Sequence, residues 1–199
     1  MKPILIAIAG GSGSGKSTLA EALCAKYPDE VGLVQFDDYR KLPSEMPTYR
    51  GMQNRDHPDS MQLETFVNDL TKLSEGNSVV INTRNEHLNP EFAKTRQKLP
   101  VEFKPKKIML IEGHMILGDE RVRNLLETSI WLEAPHEARW KRRQHFPGQP
   151  ESYERVVYKP MHLEHVEAKK DFAEHVIDAG LLSKEHIFEE ADRIISRYL

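Results

Sequence analysis

One short stretch near the start constrains this chain more than anything else in it. Gly10-Gly11-Ser12-Gly13-Ser14-Gly15-Lys16-Ser17 meets G-x-x-x-x-G-K-[ST] at every fixed position. It follows the apolar run Ile4–Ala9 directly and leads straight into Lys16–Lys26, which reads as a helix. Glycines at this density let a backbone curl round a phosphate with successive N–H groups pointing inward, and the helix behind adds the positive end of its dipole. Gly10, Gly11, Ser12, Gly13, Ser14, Gly15, Lys16, Ser17 and Thr18 therefore form a candidate nucleotide-phosphate site. Lys16 brings a mobile positive charge for β- and γ-phosphates, and Ser17 a hydroxyl ligand for Mg²⁺. A flexible Gly/Ser linker would not run on into Lys-Ser-Thr-Leu-Ala opening a helix.

Along the rest of the chain apolar runs of strand length recur, separated by longer helical patterns, with no internal repeat. Val31–Phe36, Val79–Ile81, Ile108–Ile111 and Ile130–Leu132 are short and rich in Ile and Val, as suits strands buried on both faces of a parallel sheet. Between them, Met61–Leu73 places Leu63, Phe66, Val67, Leu70 and Leu73 at helical spacing before Glu75-Gly76-Asn77 stops it. His136–His145 opens after Pro135, and Tyr153–Val166 carries a weaker helical pattern. Near the end, Ile187, Ala191, Ile194, Ile195 and Tyr198 make one stripe with Ser183 as its cap. Strands alternating with helices predict an α/β fold: a doubly wound, mainly parallel sheet of about five strands flanked by helices. At 199 residues, one core and one domain spanning 1–199 are expected. Residues 40–60, with Pro43, Pro47, Gly51 and Pro58, read as a long functional loop at the substrate. Residues 139–152 read as a short lid.

Charge and cysteine narrow the function. With 28 Lys+Arg against 31 Asp+Glu, the net charge of −3 argues against nucleic acid as partner. The single cysteine, Cys24, excludes an internal disulfide and reads as a packing residue on a helix. No apolar run approaches 18 residues, and the six apolar residues after Lys2 fall short of a signal peptide, so a cytoplasmic protein without membrane contact is expected.

Two acidic positions supply the remaining chemistry. Ile108-Met109-Leu110-Ile111-Glu112-Gly113 is an apolar strand ending in an acid, which places Glu112 beside the loop to act on Mg²⁺ with Ser17. Val31–Phe36 ends in Asp37-Asp38-Tyr39, and carboxyl ends of strands in a doubly wound sheet face the ligand crevice. A carboxylate there can accept the proton of an attacking hydroxyl during phosphoryl transfer. Asp37, nearer the strand, is preferred. The basic run Arg139, Lys141, Arg142, Arg143 precedes a Gly/Pro segment, where arginines would close over transferring phosphoryl charge. Arg142 and Arg143 are the candidates.

These residues together resemble the uridine kinase/phosphoribulokinase branch of P-loop kinases, over most of the chain. The matching pieces are Gly10–Thr18, Asp37-Asp38-Tyr39, Asp56-His57-Pro58-Asp59, Ile111-Glu112-Gly113, Arg139 with Arg142-Arg143, and Lys159-Pro160-Met161-His162. The resemblance implies ATP or GTP with Mg²⁺ as donor, and transfer of the γ-phosphate to a small-molecule hydroxyl, usually the 5′-hydroxyl of a nucleoside. It implies Asp37 as base, Asp56 on sugar hydroxyls and Arg143 in the lid, with Tyr39, His57 and Arg84 also at the substrate. It is compatible with a homo-oligomer.

The departures are specific. Arg84-Asn85-Glu86 stands where uridine kinases carry a Tyr-Asp-Phe that clasps the pyrimidine, and Arg55 stands where an aromatic precedes Asp-His-Pro-Asp. Each lost stacking contact is worth about 1–3 kcal/mol in nucleic-acid systems. Other acceptors therefore stay open: a sugar phosphate, a pantothenate-like acid or a nicotinamide riboside-like compound. Arg55 and Arg84 facing the acceptor would suggest an anion. An alternative of another class is a nucleotide switch or regulatory ATPase. The chain has no Asn-Lys-x-Asp guanine-reading motif.

Overall fold

Strand β1 (Ile4–Gly10) sets the architecture, because its side chains are buried on both faces. Leu5, Ala7 and Ala9 enter one apolar cluster, and Ile6 and Ile8 the opposite one, none more than 1% exposed. Such a strand needs helices or loops on both sides, which is the layer order the sequence predicts. The computed structural model describes residues 2–143 and 152–199. Helix α1 (Lys16–Lys26) follows the glycine loop and lays Leu19, Ala20 and Leu23 on the second cluster. Strand β2 (Val31–Gln35) comes next, then a short ribbon of β3 (Thr48–Tyr49) and β4 (Met52–Gln53). Helix α2 (Leu63–Ser74) buries Phe66, Val67, Leu70 and Leu73 in the first cluster.

The chain continues through β5 (Val79–Thr83), α3 (Phe92–Thr95), β6 (Leu99–Phe103), β7 (Ile108–Gly113), α4 (Glu120–Arg123) and β8 (Thr128–Glu133). It ends with α5 (His136–Arg143), α6 (Lys159–His165), β9 (His175–Asp178) and α7 (Lys184–Ile195). The Ser183 hydroxyl caps α7 by accepting from the His186 N–H at 3.3 Å.

The central sheet has five strands in the order β2-β7-β1-β8-β9, all parallel. Its register sets Ile8 of β1 and Gln35 of β2 both opposite Glu112 of β7. The carboxyl ends of β1, β2 and β7 therefore meet at one edge of the sheet, and the glycine loop, Asp37 and Glu112 converge there.

One expectation is corrected and two are refined. Val79–Ile81 is not a strand of the parallel sheet: it lies in β5, which pairs antiparallel with β6 as a separate hairpin. Only its alternate residues are buried, Val79, Ile81 and Thr83, while Val80 is 65% exposed. The fifth parallel strand is instead β9, whose His-Val-Ile-Asp has too short an apolar run to stand out. The 40–60 loop carries tight turns at Pro43–Glu45 and Pro58–Ser60 besides its ribbon. Tyr153–Val166 is realised as a wide π-type turn, Glu154–Tyr158, running into α6. Most of the expected lid beyond Arg143, residues 144–151, lies outside the described residues.

Candidate active site

The loop is shaped by backbone conformations that side chains resist. Gly13 has φ +86°, and a Cβ there would lie 2.6 Å from the Arg139 carbonyl oxygen. Gly15 has φ +103° at the N-cap of α1, where the first free N–H groups of the helix begin. Lys16 is buried and donates from Nζ to the Gly11 carbonyl at 3.0 Å, with the Glu112 carboxylate 3.8 Å away. Burial pulls the Lys16 ammonium below its ordinary pKa, opposed by Glu112 and Asp37. Burial pushes the Glu112 carboxyl up, opposed by Lys16, and the Ser17 hydroxyl lies on the same cleft wall. A hydroxyl and a carboxylate side by side are the hard oxygen donors that Mg²⁺ takes. Among the described residues no group of three or more His, Cys, Asp or Glu converges, so most ligands of a cation here would come from nucleotide and water.

Two adjacent acids at the end of β2 have separate environments. Asp38 is buried and accepts from the Thr83 hydroxyl at 2.6 Å and the Arg84 N–H at 2.9 Å, stapling the β5–β6 hairpin to the sheet. Asp37 faces the crevice. Its two carboxylate oxygens take Arg40 Nη2 at 2.6 Å and Arg84 Nη2 at 2.5 Å. Burial pushes the Asp37 carboxyl up, but the guanidiniums of Arg40 and Arg84 outweigh it and hold it well below the usual carboxylate range.

Asp37 and Arg84 belong to two clefts at once. The first, about 280 Å³, is walled by the loop from Ser12 to Thr18 together with Glu112, Arg142 and Arg143. The second, about 530 Å³, opens on the other side toward Arg40, Arg55, Phe92 and Lys98.

The basic run on α5 divides into three roles. Arg142 Nη1 donates to the Gly13 carbonyl at 2.8 Å and lines the first cleft. Arg143 is buried and pairs with Asp56 at 2.7 Å, while Tyr153 donates to the same carboxylate oxygen at 2.8 Å. Arg139 sits behind the loop. Its guanidinium packs where Gly11 leaves room, donates to the Tyr158 hydroxyl and donates to His162 Nε2 at 2.9 Å. Through these contacts the Lys159-Pro160-Met161-His162 segment braces the loop from the rear, and Tyr158 adds a hydrogen bond to the Ser12 carbonyl at 3.2 Å.

Lys16, Ser17, Glu112, Asp37, Arg84, Arg142 and Arg143 are thus brought together. Two expected substrate residues, Asp56 and His57, stand apart from both clefts, and a third, Tyr39, lies in the floor of one. Asp56 is committed to Arg143 and Tyr153. His57 Nδ1 accepts from the Asp59 N–H at 3.1 Å, and its ring meets His165 edge-on at 4.8 Å. Neither lines the two clefts. Tyr39 is 4% exposed, packs edge-on against Phe66 and donates its hydroxyl to Asp69 at 3.0 Å, so it forms the floor of the second cleft.

Sequence reasoning missed Arg40, Lys98 and His114. His114 follows Glu112-Gly113 on the first cleft wall, is buried with Nε2 unpartnered among the described residues, and burial pulls it down to about 4, so it is neutral at pH 7. Its only sequence signal was a polar residue where the apolar run of β7 continues toward Met115-Ile116-Leu117. Cys24 behaves as expected: it packs on the second cluster, and burial pushes its thiol up to about 11.

Comparison with known proteins decides the family. The model of the Phosphoribulokinase / Uridine kinase family matches residues 5–145. The chain belongs to that family. It is 35% identical over 191 residues to a uridine kinase of Clostridium novyi, covering 90% of this chain and 89% of that one. It is 35% identical over 195 residues to a uridine kinase of Mannheimia succiniciproducens, covering 89% and 86%. Among solved structures, a possible uridine kinase from Bacillus stearothermophilus superposes with a TM-score of 0.63 at 15% identity, covering 89% of this chain and 90% of that one. Shikimate kinase from Acinetobacter baumannii gives 0.55 at 13% identity, covering 99% and 96%. The last two show the fold, a P-loop kinase sheet. The family member is accordingly a phosphotransferase with a hydroxyl acceptor. No helix among the described residues is long and apolar enough to cross a membrane.

Proposed function

We propose that this kinase moves the γ-phosphoryl group of ATP, with Mg²⁺, onto a hydroxyl of a small molecule held in the second cleft, with Asp37 as the base. One observation carries the reading: the Asp37 carboxylate forms the wall shared by the phosphate-loop cleft and the wider cleft beyond it. A hydroxyl entering from the wide side meets the carboxylate on its way to a phosphorus held by Lys16 and the loop amides. In the transfer the hydroxyl oxygen bonds to the γ-phosphorus, the bond to the β–γ bridging oxygen breaks, and the hydroxyl proton passes to Asp37.

Ser17 and Glu112 would hold Mg²⁺, which neutralises developing phosphate charge when bound. Arg142 and Arg143 line the phosphate side, at the base of the segment proposed as the lid (139–152) within a single 1–199 domain. GTP as donor fits the same loop, since the contacts are to phosphates.

For the acceptor, the names of the relatives support a nucleoside. A second reading, an acceptor bearing a negative charge, is favoured by the side chains of the cleft itself and is developed below. The test of the shared mechanism is Asp37→Asn. Turnover should fall by about 10²–10⁴ while nucleotide binding to the loop persists. Near-normal turnover would remove the base assignment.

A further inference from the structure

The second cleft is far more basic than the protein that contains it. Arg40, Lys41, Arg55, Arg84, Arg96 and Lys98 line it, against Asp37, Asp38 and Asp69. That is an excess of three positive charges in a chain whose net charge is −3. Composition does not explain this, so the charge has been placed locally.

The three acids balance only half of the six cations, and each of them is held by its own hydrogen bonds. Asp38 accepts from the Thr83 hydroxyl and the Arg84 N–H, and Asp69 receives the Tyr39 hydroxyl. Asp37 is shared between Arg40 and Arg84. The other four cations make no ion pair among the described residues. Lys98 is the most telling of them. It is partly buried, donates only to the Asp38 carbonyl at 2.7 Å, and burial pulls its ammonium below its ordinary pKa. The Asp38 and Asp37 carboxylates offset that burial only in part and neither makes an ion pair with it, so Lys98 has capacity left for an incoming anion.

The donor's phosphates do not supply that anion. Lys41, Arg55, Arg96 and Lys98 line the second cleft and not the one formed by the loop, which has its own Lys16, Arg142 and Arg143. Nor does the cleft offer a free stacking surface for a neutral base. Tyr39 is in the floor, and Phe92 lies under the Arg96 guanidinium, 5.7 Å from ring centre to carbon.

We propose that the acceptor is an anionic hydroxy compound, whose phosphate or carboxylate is bound by Lys98 with Arg96, Arg55 and Lys41 while its hydroxyl meets Asp37. This rests on the reading of the crevice as a kinase site, and it names the class of molecule that site takes. It also gives the Asp37 clamp a purpose. A neutral acceptor must reach a carboxylate covered by two charge-assisted bonds. An anionic one can draw Arg84, which borders both clefts, onto itself, uncovering the base as the hydroxyl arrives.

The experiment uses matched acceptors that differ only in the charged group, with Mg·ATP: pantothenate against panthenol, glycerate against glycerol, and ribose 5-phosphate against ribose, with uridine and cytidine as neutral nucleosides. Within at least one pair, the anionic member should give a kcat/KM about tenfold to a hundredfold higher, the worth of one charge-assisted contact. The advantage should shrink as salt is raised. The carboxylate and phosphate pairs tell the two anions apart. Lys98→Gln should raise KM for the preferred acceptor by about tenfold with a smaller change in kcat, and Lys98→Arg should recover most of the loss. Uridine or cytidine turned over better than every anionic acceptor, or equal turnover within every pair, would overturn the proposal and leave the kinase reading intact. If none of these compounds is phosphorylated, equilibrium binding of the same pairs to the Mg·ADP-loaded protein decides. Anions bound more tightly by wild type than by Lys98→Gln support an anion site, and no such difference overturns it.

Discussion

Lowering the pH from about 7.5 to about 5 takes the chain through the ordinary range of histidine, and two buried imidazoles resist protonation. Burial, reinforced by Arg139, pulls His162 down to about 3, and burial pulls His114 down to about 4. At His162 the Arg139 contact points the same way. Arg139 can only donate, so Nε2, which receives it at 2.9 Å, must be the unprotonated nitrogen. The Glu167 carboxylate 3.2 Å away would favour a cation, but it is partly exposed, whereas the guanidinium is buried against the ring. In the unfolded chain both histidines titrate near 6.5. Below that pH the unfolded state takes up protons that the folded state refuses, so stability is full above 6.5 and is lost as pH falls toward the folded values.

At about pH 5 the deficit is roughly 1.5 pH units per histidine, or about 2 kcal/mol each and about 4 kcal/mol together. That is a large part of the 5–15 kcal/mol typical of a domain. His162→Gln keeps an acceptor for Arg139 and removes the titration. Urea unfolding should then show the variant losing about 2 kcal/mol where wild type loses about 4. Because Arg139 backs Gly11 and Gly13, nucleotide affinity should also decline less with acid in the variant. Equal losses in the two proteins would mean that the Arg139–His162 bond does not hold the imidazole neutral.

Four further substitutions probe single contacts. Gly13→Ala puts a Cβ against the Arg139 carbonyl as well as into a left-handed backbone, whereas Gly15→Ala meets open space. The first should cost nucleotide affinity and about 2 kcal/mol or more of stability, and the second only the backbone strain of about 1–2 kcal/mol, by calorimetry. Glu112→Gln should raise the Mg²⁺ concentration for half-maximal turnover by about 10–100-fold, read from a metal titration. Asp56→Ala leaves the Arg143 guanidinium buried without its partner, and should cost about 3–5 kcal/mol in urea unfolding. If Asp56 served only a sugar hydroxyl, stability would hardly change.

What could be read along the chain was local. The loop, its preceding strand and the limits of α1 at Lys16 and Lys26 follow from consecutive residues, since a strand, a glycine turn and a helix start each carry a short-range signal. Glu112 and Asp37 were legible for a topological reason: strand ends of a parallel sheet share one edge, so an acid after an apolar run is delivered to the crevice whatever the connections do. Pairing was not legible. The Val79–Ile81 run is equally apolar whether it enters a parallel sheet or a hairpin, and only its partner Val101–Phe103 decides.

Side-chain partners were hidden for the same reason, and α5 shows how. Arg139, Arg142 and Arg143 form one basic run in the sequence, yet residues 139 and 143 share a helix face turned inward while 142 is exposed. The inward pair meets His162 and Asp56, groups brought there by segments far away in the chain, so burial splits one run into a brace, a loop contact and an ion pair. Asp37 and Asp38 divide likewise. Thr83, at the end of β5, takes one carboxylate out of play and the adjacent Arg84 covers the other. The departure from the uridine kinase pattern at Arg84 therefore coincides with the residue that touches the proposed base. A change that removes an aromatic clasp and adds a guanidinium at the reacting carboxylate alters acceptor recognition and base chemistry in one step. Under the proposed reading, that coupling makes the charge of the acceptor, rather than its base, the property this cleft would read.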